Sequence, residues 1–336
     1  MKLVTSVVPC KRQASGPPSG SLGVVGAVLV CASALMLALG CGPQGSGPAE
    51  ETTAAAGSGG EYPVTLTDSA GREVTIEHEP ERIASMAPSV TETLFAVGAG
   101  EKVVGVTTSD DYPEEVRDLE TVGDFQQVNV EKILALETDL LFLSFAYSTE
   151  ERAEELEEQT QADVVVVDPE TLDEVLESVE TVGLAAGEPE GGRELRQRME
   201  ADLREVEEAV AGEPRPTVFY EVFGDPLQTV GPGSFIHDAL VRAGGENIAA
   251  DTNEAYPTYS AETVVERDPD FYLLGSLSGT SPEDIADRPG FAELTAVREG
   301  QVATVEDDLI SRPGPRLPQG VRQIAETLHP ESFSGE

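Results

Sequence analysis

Short apolar runs alternate along the chain with segments in which apolar residues recur every three or four positions. The short runs are typical of buried strands, and the longer segments are typical of helices that pack one face on a sheet. Predicted strands span residues 82–86, 103–107, 140–144, 164–167, 217–222, 271–274 and 301–304, and predicted helices span 89–97, 130–136, 235–243 and 320–328. Strands and helices in alternation predict an α/β fold with parallel sheets.

Two local signals add detail near the beginning of this pattern. Residues 62–77 alternate around a turn at 68–71, which predicts a short hairpin. Ser89 and Glu92 have the spacing of a capping box, so we expect a helix to begin at Ser89 and to end at Gly98.

One long charged segment divides the pattern into two halves. Residues 188–211 carry charges at helical spacing with a thin apolar stripe, and Pro214 and Pro216 follow them. We expect a single rigid linking helix over 188–213, an N-terminal lobe over 61–187 and a C-terminal lobe over 214–336. Because a stiff helix joins the lobes, we expect only modest closure when a ligand binds.

The two halves contain an internal repeat. An aromatic residue, a helix cap, a glutamate at the second helical position and an aspartate before a strand recur in the same order. One offset of 131 residues separates Phe125 from Tyr256, Asn129 from Ser260, Glu131 from Glu262, and Asp139 from Asp270. The repeat predicts two similar lobes with one cleft between them, and such clefts are the usual ligand sites. An acid in the first turn also favours the helix dipole, so each glutamate has a purely structural alternative.

The beginning of the chain has the features of a targeting segment. Residues 1–21 are basic and without acids, residues 22–40 are apolar or small, and Cys41 follows directly. We expect residues 1–40 to be a lipoprotein signal peptide, Cys41 to be the lipidated residue, and 41–60 to be a flexible tether. The alternative is an uncleaved membrane anchor. In either case the rest of the chain lies outside the membrane.

Charge and the scarcity of reactive groups exclude several functions. The chain has 63 acidic against 21 basic residues, a net charge of −42, which argues against a nucleic-acid partner. Its three cysteines all lie in the first 41 residues, so we expect neither disulfides nor a cysteine-based site. The histidines His78, His237 and His329 lack metal-ligand spacing. Neither a hydrolase nucleophile motif nor a phosphate-binding loop is present, which makes an enzyme the less favoured class.

Four stretches carry a resemblance to a known family. They are residues 83–113 (IASMAPSVTETLFAVGAGEKVVGVTTSDDYP), 122–142 (VGDFQQVNVEKILALETDLLF), 231–251 (GPGSFIHDALVRAGGENIAAD) and 256–274 (YPTYSAETVVERDPDFYLL). The chain resembles the substrate-binding proteins of bacterial ABC importers for vitamin B12, ferric siderophores and haem. The resemblance implies the class III periplasmic-binding-protein fold, in which two lobes are joined by one helix. It also implies that Glu131 and Glu262 dock onto arginines of the permease dimer.

Within this family the chain is most similar to the B12 binders, through residues 105–113, 122–126 and 308–316. This likeness implies that Phe125, Tyr256 and either Tyr220 or Phe223 stack on the corrin rim, and that Asp308 and Arg312 bond to its amides. Two departures weaken it, since the chain has no tryptophan and Ser109 stands where the B12 binders usually have an aromatic residue. Core packing for each aromatic residue, and a surface ion pair for Asp308 with Arg312, are the structural alternatives.

The expected function is therefore that of a lipid-anchored, extracytoplasmic substrate-binding protein. We expect a monomer without a cofactor that captures cobalamin or a related corrinoid and delivers it to a permease dimer with its ATPase. A ferric siderophore or haem is the alternative ligand, and for haem the axial ligand would be Tyr147 or Tyr220. A hydrolase or another enzyme acting in the cleft is the alternative from a different class.

Overall fold

The computed structural model describes residues 62–275 and 278–334. The predicted hairpin is present as β1 (Val64–Thr67) and β2 (Glu73–Ile76), which pair antiparallel. A five-stranded sheet follows, in the order β5-β4-β3-β6-β7 with all strands parallel. Its strands are β3 (Ile83–Ser85), β4 (Val103–Thr107), β5 (Glu120–Gly123), β6 (Leu140–Leu143) and β7 (Asp163–Val166). This sheet is the centre of the N-terminal lobe.

Four helices cover the two faces of that sheet. They are α1 (Pro88–Val97), α2 (Val130–Ala135), α3 (Glu150–Thr160) and α4 (Leu172–Ala185). The sequence prediction omits β5, α3 and α4; in α3 the cause is a composition so acidic that only Ala153, Leu156 and Thr160 are buried. Helix α1 ends as predicted, because Gly98 adopts φ 102°, a conformation that favours glycine.

The predicted capping box in α1 is wrong. The helix begins at Pro88, with Ala87 as its N-cap, so Ser89 already lies inside the first turn. Proline is favoured at the first helical position because its fixed φ suits the helix and its missing N–H would have no partner there. The side chain of Glu92 is therefore too far from the cap to bond to it, and it is directed elsewhere.

The C-terminal lobe is built around a four-stranded parallel sheet in the order β11-β8-β12-β13. A two-stranded antiparallel ribbon of β9 and β10 follows β8. The strands are β8 (Thr217–Glu221), β9 (Phe223–Gly224), β10 (Leu227–Gln228), β11 (Glu246–Asn247), β12 (Phe271–Gly275) and β13 (Val302–Val305). The helices are α6 (Phe235–Arg242), α7 (Ala261–Arg267), α8 (Thr295–Arg298), α9 (Asp307–Ile310) and α10 (Leu317–Leu328).

One long helix joins the two lobes. Helix α5 (Pro189–Ala209) has 21 residues, and its apolar stripe of Leu195, Met199, Leu203 and Val206 is buried. It packs on α1 and α4 of the first lobe and on α6 and α10 of the second. A single hydrophobic cluster runs through this helix and the facing sides of both lobes, and each sheet has a further cluster on its other side. The α/β architecture of two lobes with parallel sheets joined by a helix is confirmed.

The sequence repeat is visible in the structure. Asn129 and Ser260 each accept a hydrogen bond from the backbone N–H three residues later, both at 3.0 Å. Asp139 and Asp270 each accept from a backbone N–H before or at the start of the neighbouring strand, those of Glu81 and Thr217, at 2.8 Å. Ile133 and Val264 are fully buried at equivalent positions, and Glu137 and Asp268 share a positive φ of 52° and 43°. The two units therefore have the same local fold as well as similar sequences.

Candidate functional site

The cleft is formed by the carboxyl ends of the two parallel sheets. The loop after β4 meets the segment between α9 and α10, where the Arg316 guanidinium lies 4.3 Å from the centre of the Tyr112 ring. Gly314 lies against the backbone of Ser89, so close that an added Cβ would be 3.1 Å from the Ser89 carbonyl oxygen. Ligands of open α/β sheets bind in crevices at this end of the strands. The topology therefore brings the loop after β4 and the segment between α9 and α10 to one site.

Exposed aromatic rings follow the strand ends of both lobes. Phe125 and Phe145 follow β5 and β6, Phe223 follows β8, and Tyr256 lies in the long loop after β11; they are between 41% and 73% exposed. Phe125 and Phe145 meet edge to face, with ring centres 6.5 Å apart. Large apolar rings left exposed at a cleft are typical of a ligand surface. The sequence prediction named three of these four residues and missed Phe145.

Phe145 is held in place by its backbone. It has a φ of 51°, which is rare for a bulky residue, and its N–H donates to Asp168 Oδ1 at 3.1 Å. Next to it, the buried Tyr147 donates its hydroxyl hydrogen to the Asp124 carbonyl oxygen at 2.8 Å. Tyr147 thus supports the loop that carries Phe125, and the suggestion that it is an axial haem ligand is not supported.

Tyr220 requires a correction. The side chain is 1% exposed in the core of the C-terminal lobe, so it cannot stack on a ligand in the cleft. Burial, with Asp307 and Tyr256 nearby, raises the pKa of its hydroxyl. A tyrosine in the middle of a parallel strand is covered on both faces of the sheet, which explains this placement. Of the two predicted alternatives, Phe223 is the exposed ring.

Tyr256 faces carboxylates of the opposite lobe. Burial, together with Asp168 and then Glu170, raises the pKa of its hydroxyl to about 12. The Gln228 side-chain amide donates to the Tyr256 carbonyl oxygen at 3.1 Å, which fixes the backbone of this loop. Tyr256 is therefore a neutral ring with an O–H donor throughout the physiological pH range.

Asp308 and Arg312 form the ion pair that was their structural alternative, and this pair belongs to a larger network. Arg312 Nη2 lies 2.7 Å from Asp308 Oδ1, while Arg312 Nη1 bonds to Asp111 at 2.8 Å and to Glu92 at 2.9 Å. Burial is the largest single influence on the pKa of Arg312 and lowers it, but the hydrogen bonds to Asp111 and Glu92 and the charges of Asp308 and Asp111 together raise it overall. The guanidinium is thus a fixed cation that joins the two lobes. The sequence prediction missed Glu92, Asp111 and the second arginine, Arg316.

A buried carboxyl group lies beside this network. Asp110 Oδ2 accepts from the Thr107 N–H at 2.8 Å, and its other oxygen has no hydrogen-bond partner among the residues that the structure describes. Burial raises the pKa of Asp110, against the hydrogen bonds from Thr107 and the charge of Arg312, which lower it.

The two repeated glutamates are exposed at equivalent positions. Glu131 and Glu262 are the second residues of α2 and α7, which begin after the loops that leave the carboxyl ends of β5 and β11. Both therefore lie on the cleft side of the molecule. One turn later, Leu134 and Val265 are also exposed, again at the offset of 131. A groove of about 480 Å³ beside Glu131 is lined by the same helix start and the loop before it.

Other predicted features lie outside this region. Cys41 and the segments 1–40 and 41–60 are outside the described residues. Within residues 62–275 and 278–334, no three or more His, Cys, Asp or Glu side chains form a metal-binding group. Among the helices of the same ranges, none is both long and apolar enough for a membrane span.

Comparison with known proteins places the chain in a family. The sequence profile of the periplasmic binding protein family matches residues 83–309. The chain belongs to this family. The ABC transporter substrate-binding lipoprotein YvrC of Bacillus subtilis is 35% identical over 319 residues, 93% of this chain and 98% of that protein. The vitamin B12-binding protein of Vibrio cholerae is 32% identical over 254 residues, 74% of this chain and 89% of that protein.

Solved structures agree with the fold. The periplasmic vitamin B12 binding protein BtuF of Vibrio cholerae has a TM-score of 0.63 at 29% identity, over 76% of this chain and 98% of that one. The periplasmic haem-binding protein RhuT from Roseiflexus has a TM-score of 0.67 at 26% identity, over 75% of this chain and 99% of that one. The class III periplasmic-binding-protein fold is confirmed, and these relatives are named for binding and transport rather than for catalysis.

Proposed function

We propose that this binding protein captures cobalamin or a related corrinoid in the cleft between its lobes and delivers it to an ABC importer. The observation that carries the proposal is the set of four exposed rings, Phe125, Phe145, Phe223 and Tyr256, at the facing ends of the two sheets. A corrinoid is a broad ligand with an apolar rim and peripheral amides. Aromatic rings from both lobes suit the rim, and charged groups such as Asp308 suit the amides.

The similarity to both a B12 binder and a haem binder supports this ligand class and keeps haem or a ferric siderophore as the alternative. Both tyrosines considered as axial haem ligands are buried, and Tyr147 already donates its hydroxyl hydrogen to Asp124. This favours the corrinoid. Binding is non-covalent in each case, because ligand transport requires release.

The docking partner is proposed to be the permease dimer, which works with an ATPase. Glu131 and Glu262 present one carboxylate at an equivalent corner of each lobe, and Leu134 and Val265 add an exposed aliphatic group beside each. A pair of equivalent corners suits a partner with two-fold symmetry and basic sockets.

The protein is proposed to be held at the outer face of the membrane by a lipid on Cys41. The similarity to a Bacillus subtilis lipoprotein over 93% of the chain supports this anchor. We expect cells to incorporate labelled palmitate into the protein and the Cys41→Ser variant to lose the label. Absence of label from the unaltered protein would contradict the proposal.

Calorimetric titration tests the ligand. All three hydrophobic clusters lie within residues 62–333, so the fragment 56–336 is suitable. We expect cyanocobalamin to bind with a Kd below about 1 μM, and Phe125→Ala or Tyr256→Ala to weaken it about tenfold each. Phe333→Leu, in the last described turn, is the matched control and leaves the Kd unchanged.

Parallel titrations with hemin and ferric siderophores separate the alternatives. Binding of hemin, with a new absorbance band near 400 nm, and no heat with cyanocobalamin would replace the corrinoid by haem. A response to a ferric siderophore alone would show that the aromatic residues were assigned to the wrong ligand. No binding of any of the three would overturn the proposed ligand class.

A further inference from the structure

We propose that Glu92 is the positioning residue that fixes the two lobes against each other and holds Arg312 and Arg316 in the cleft. The inter-lobe part of this inference stands on geometry alone. Its consequence for ligand binding rests on the proposed function.

The Glu92 carboxylate is saturated by cations from the other lobe. Its side chain is 1% exposed. Arg312 Nη1 donates to Oε1 at 2.9 Å, Arg316 Nη2 donates to Oε1 at 2.7 Å, and Arg316 Nε donates to Oε2 at 2.8 Å. Glu92 belongs to α1 of the N-terminal lobe, whereas both arginines follow α9 of the C-terminal lobe. The network therefore connects the two lobes through residues that are more than 200 positions apart in the chain.

The two arginines are held by further groups of the same lobe as Glu92. Arg312 also bonds to Asp111 at 2.8 Å, and Arg316 stacks over the Tyr112 ring at 4.3 Å. A buried carboxylate that loses its cationic partners is strongly unfavourable, because its charge is left uncompensated. Separation of the lobes at this point would remove both arginines from Glu92 and would therefore be unfavourable. The arrangement acts as a connection that opposes lobe movement, in addition to helix α5.

A purely local role for Glu92 does not account for its contacts. It does not cap α1, which begins with Ala87 as N-cap. The helix-stop pattern Leu94 to Gly98 recurs as Leu240 to Gly244, an offset of 146 that places Asp238 of α6 at the position of Glu92.

Asp238, in the C-terminal lobe, contacts the N-terminal lobe, whereas Glu92 in the N-terminal lobe contacts the C-terminal lobe. Asp238 Oδ2 accepts from the N–H of Leu172, the first residue of α4, at 3.0 Å. An acid at the same position of the two corresponding helices thus contacts the other lobe in each case. This agreement supports an inter-lobe role over a local one.

The consequence for the ligand follows from the shared guanidinium. Arg312 Nη2 bonds to Asp308 while Nη1 is held by Glu92 and Asp111. Without Glu92, Arg312 keeps its charge but loses one of the groups that fix its direction. We therefore expect weaker cyanocobalamin binding without any direct contact between Glu92 and the ligand.

Hydrogen exchange of the ligand-free fragment 56–336 tests the inter-lobe connection. We expect Glu92→Gln to increase exchange about 100-fold in residues 88–94 and also in residues 311–319 on the opposite side of the cleft. Arg316→Met should reproduce this pattern, and the double variant should add little to either single variant. If Glu92→Gln fails to fold, Arg316→Met alone carries the test.

The matched control is Glu221→Gln. Glu221 is also fully buried and paired with an arginine, since Arg288 donates to its carboxylate at 2.6 and 2.9 Å, but all partners lie within the C-terminal lobe. In Glu221→Gln, hydrogen exchange should increase around residues 278–290 and stay unchanged in residues 88–94 and 311–319. An increase confined to α1 in Glu92→Gln would overturn the proposal.

Titration with cyanocobalamin separates this inference from the proposed function. We expect Glu92→Gln to weaken binding about tenfold and Glu92→Asp, which keeps the charge, to restore part of it. If the unaltered protein does not bind cyanocobalamin, the proposed function fails while the exchange result still decides the role of Glu92. If the unaltered protein binds cyanocobalamin and Glu92→Gln binds it equally well, the expected consequence for ligand binding is overturned. Only the inter-lobe role of Glu92 would then remain.

Discussion

The two lobes agree closely at their outer corners and differ in the cleft. At the corners, α2 and α7 share a capped start, a buried aliphatic residue, an exposed glutamate and a left-handed end. In the cleft, the N-terminal lobe contributes Glu92, Asp111 and two neighbouring phenylalanines. The C-terminal lobe contributes both arginines and Tyr256. The molecule thus has one duplicated face, formed by the starts of α2 and α7, and one cleft face that differs between the lobes.

This difference is consistent with two kinds of partner. A two-fold partner requires equivalent contacts from both lobes, which keeps the repeated units alike. A single ligand without that symmetry requires different contacts from each side. The acidic groups on one cleft face and the cations on the other also attract the lobes to each other. Under the proposed function, the cleft therefore combines ligand binding with the connection between lobes.

The largest expected effect tests the duplicated face. We expect Glu131→Ala with Glu262→Ala to abolish uptake of labelled cyanocobalamin by cells that carry only this variant, because the proposed basic sockets of the permease would both lose their anions. Each single variant should reduce uptake to a similar extent. Calorimetric titration should show an unchanged Kd for the double variant.

The control removes two carboxylates elsewhere. Glu194 and Asp202 are exposed on the linking helix, and their double alanine variant should transport normally. Loss of ligand binding in the Glu131 and Glu262 variant would contradict the docking assignment. Strongly unequal single variants would contradict the equivalence of the two corners.

The duplicated face was also the part most accessible to sequence reasoning. Capping residues, first-turn acids and buried aliphatic positions are local properties of the sequence. A sequence repeat in them therefore predicts a structural repeat. The strands that alternate with helices likewise predicted both parallel sheets. Helix α3 was missed because its few apolar residues give almost no periodic signal.

The cleft could be predicted only in part. Exposure of Phe125 and Tyr256 followed from family resemblance, but Phe145 depends on a positive φ that no residue pattern indicates. Glu92 satisfied a local capping rule, yet its partners lie more than 200 residues away. Contacts between lobes depend on tertiary structure, and a single sequence carries no local signal for them.

The smallest expected effect distinguishes the two repeated helix ends. Glu137 and Asp268 both have a positive φ, but only Asp268 accepts hydrogen bonds with its side chain, from Thr295 N–H at 2.6 Å and Thr295 Oγ1 at 2.8 Å. Relief of backbone strain should make Glu137→Gly more stable by about 0.5 kcal/mol. Loss of the two bonds should make Asp268→Gly less stable by about 1 kcal/mol at pH 7.

Urea unfolding at two pH values measures both differences. The Thr295 hydrogen bonds lower the pKa of Asp268, so its contribution to stability is present at neutral pH and is lost as the pH falls below the usual range of an aspartate. The destabilisation by Asp268→Gly should therefore shrink in acid. Equal effects of the two substitutions at both pH values would mean that the side chain of Asp268 contributes nothing beyond its backbone conformation.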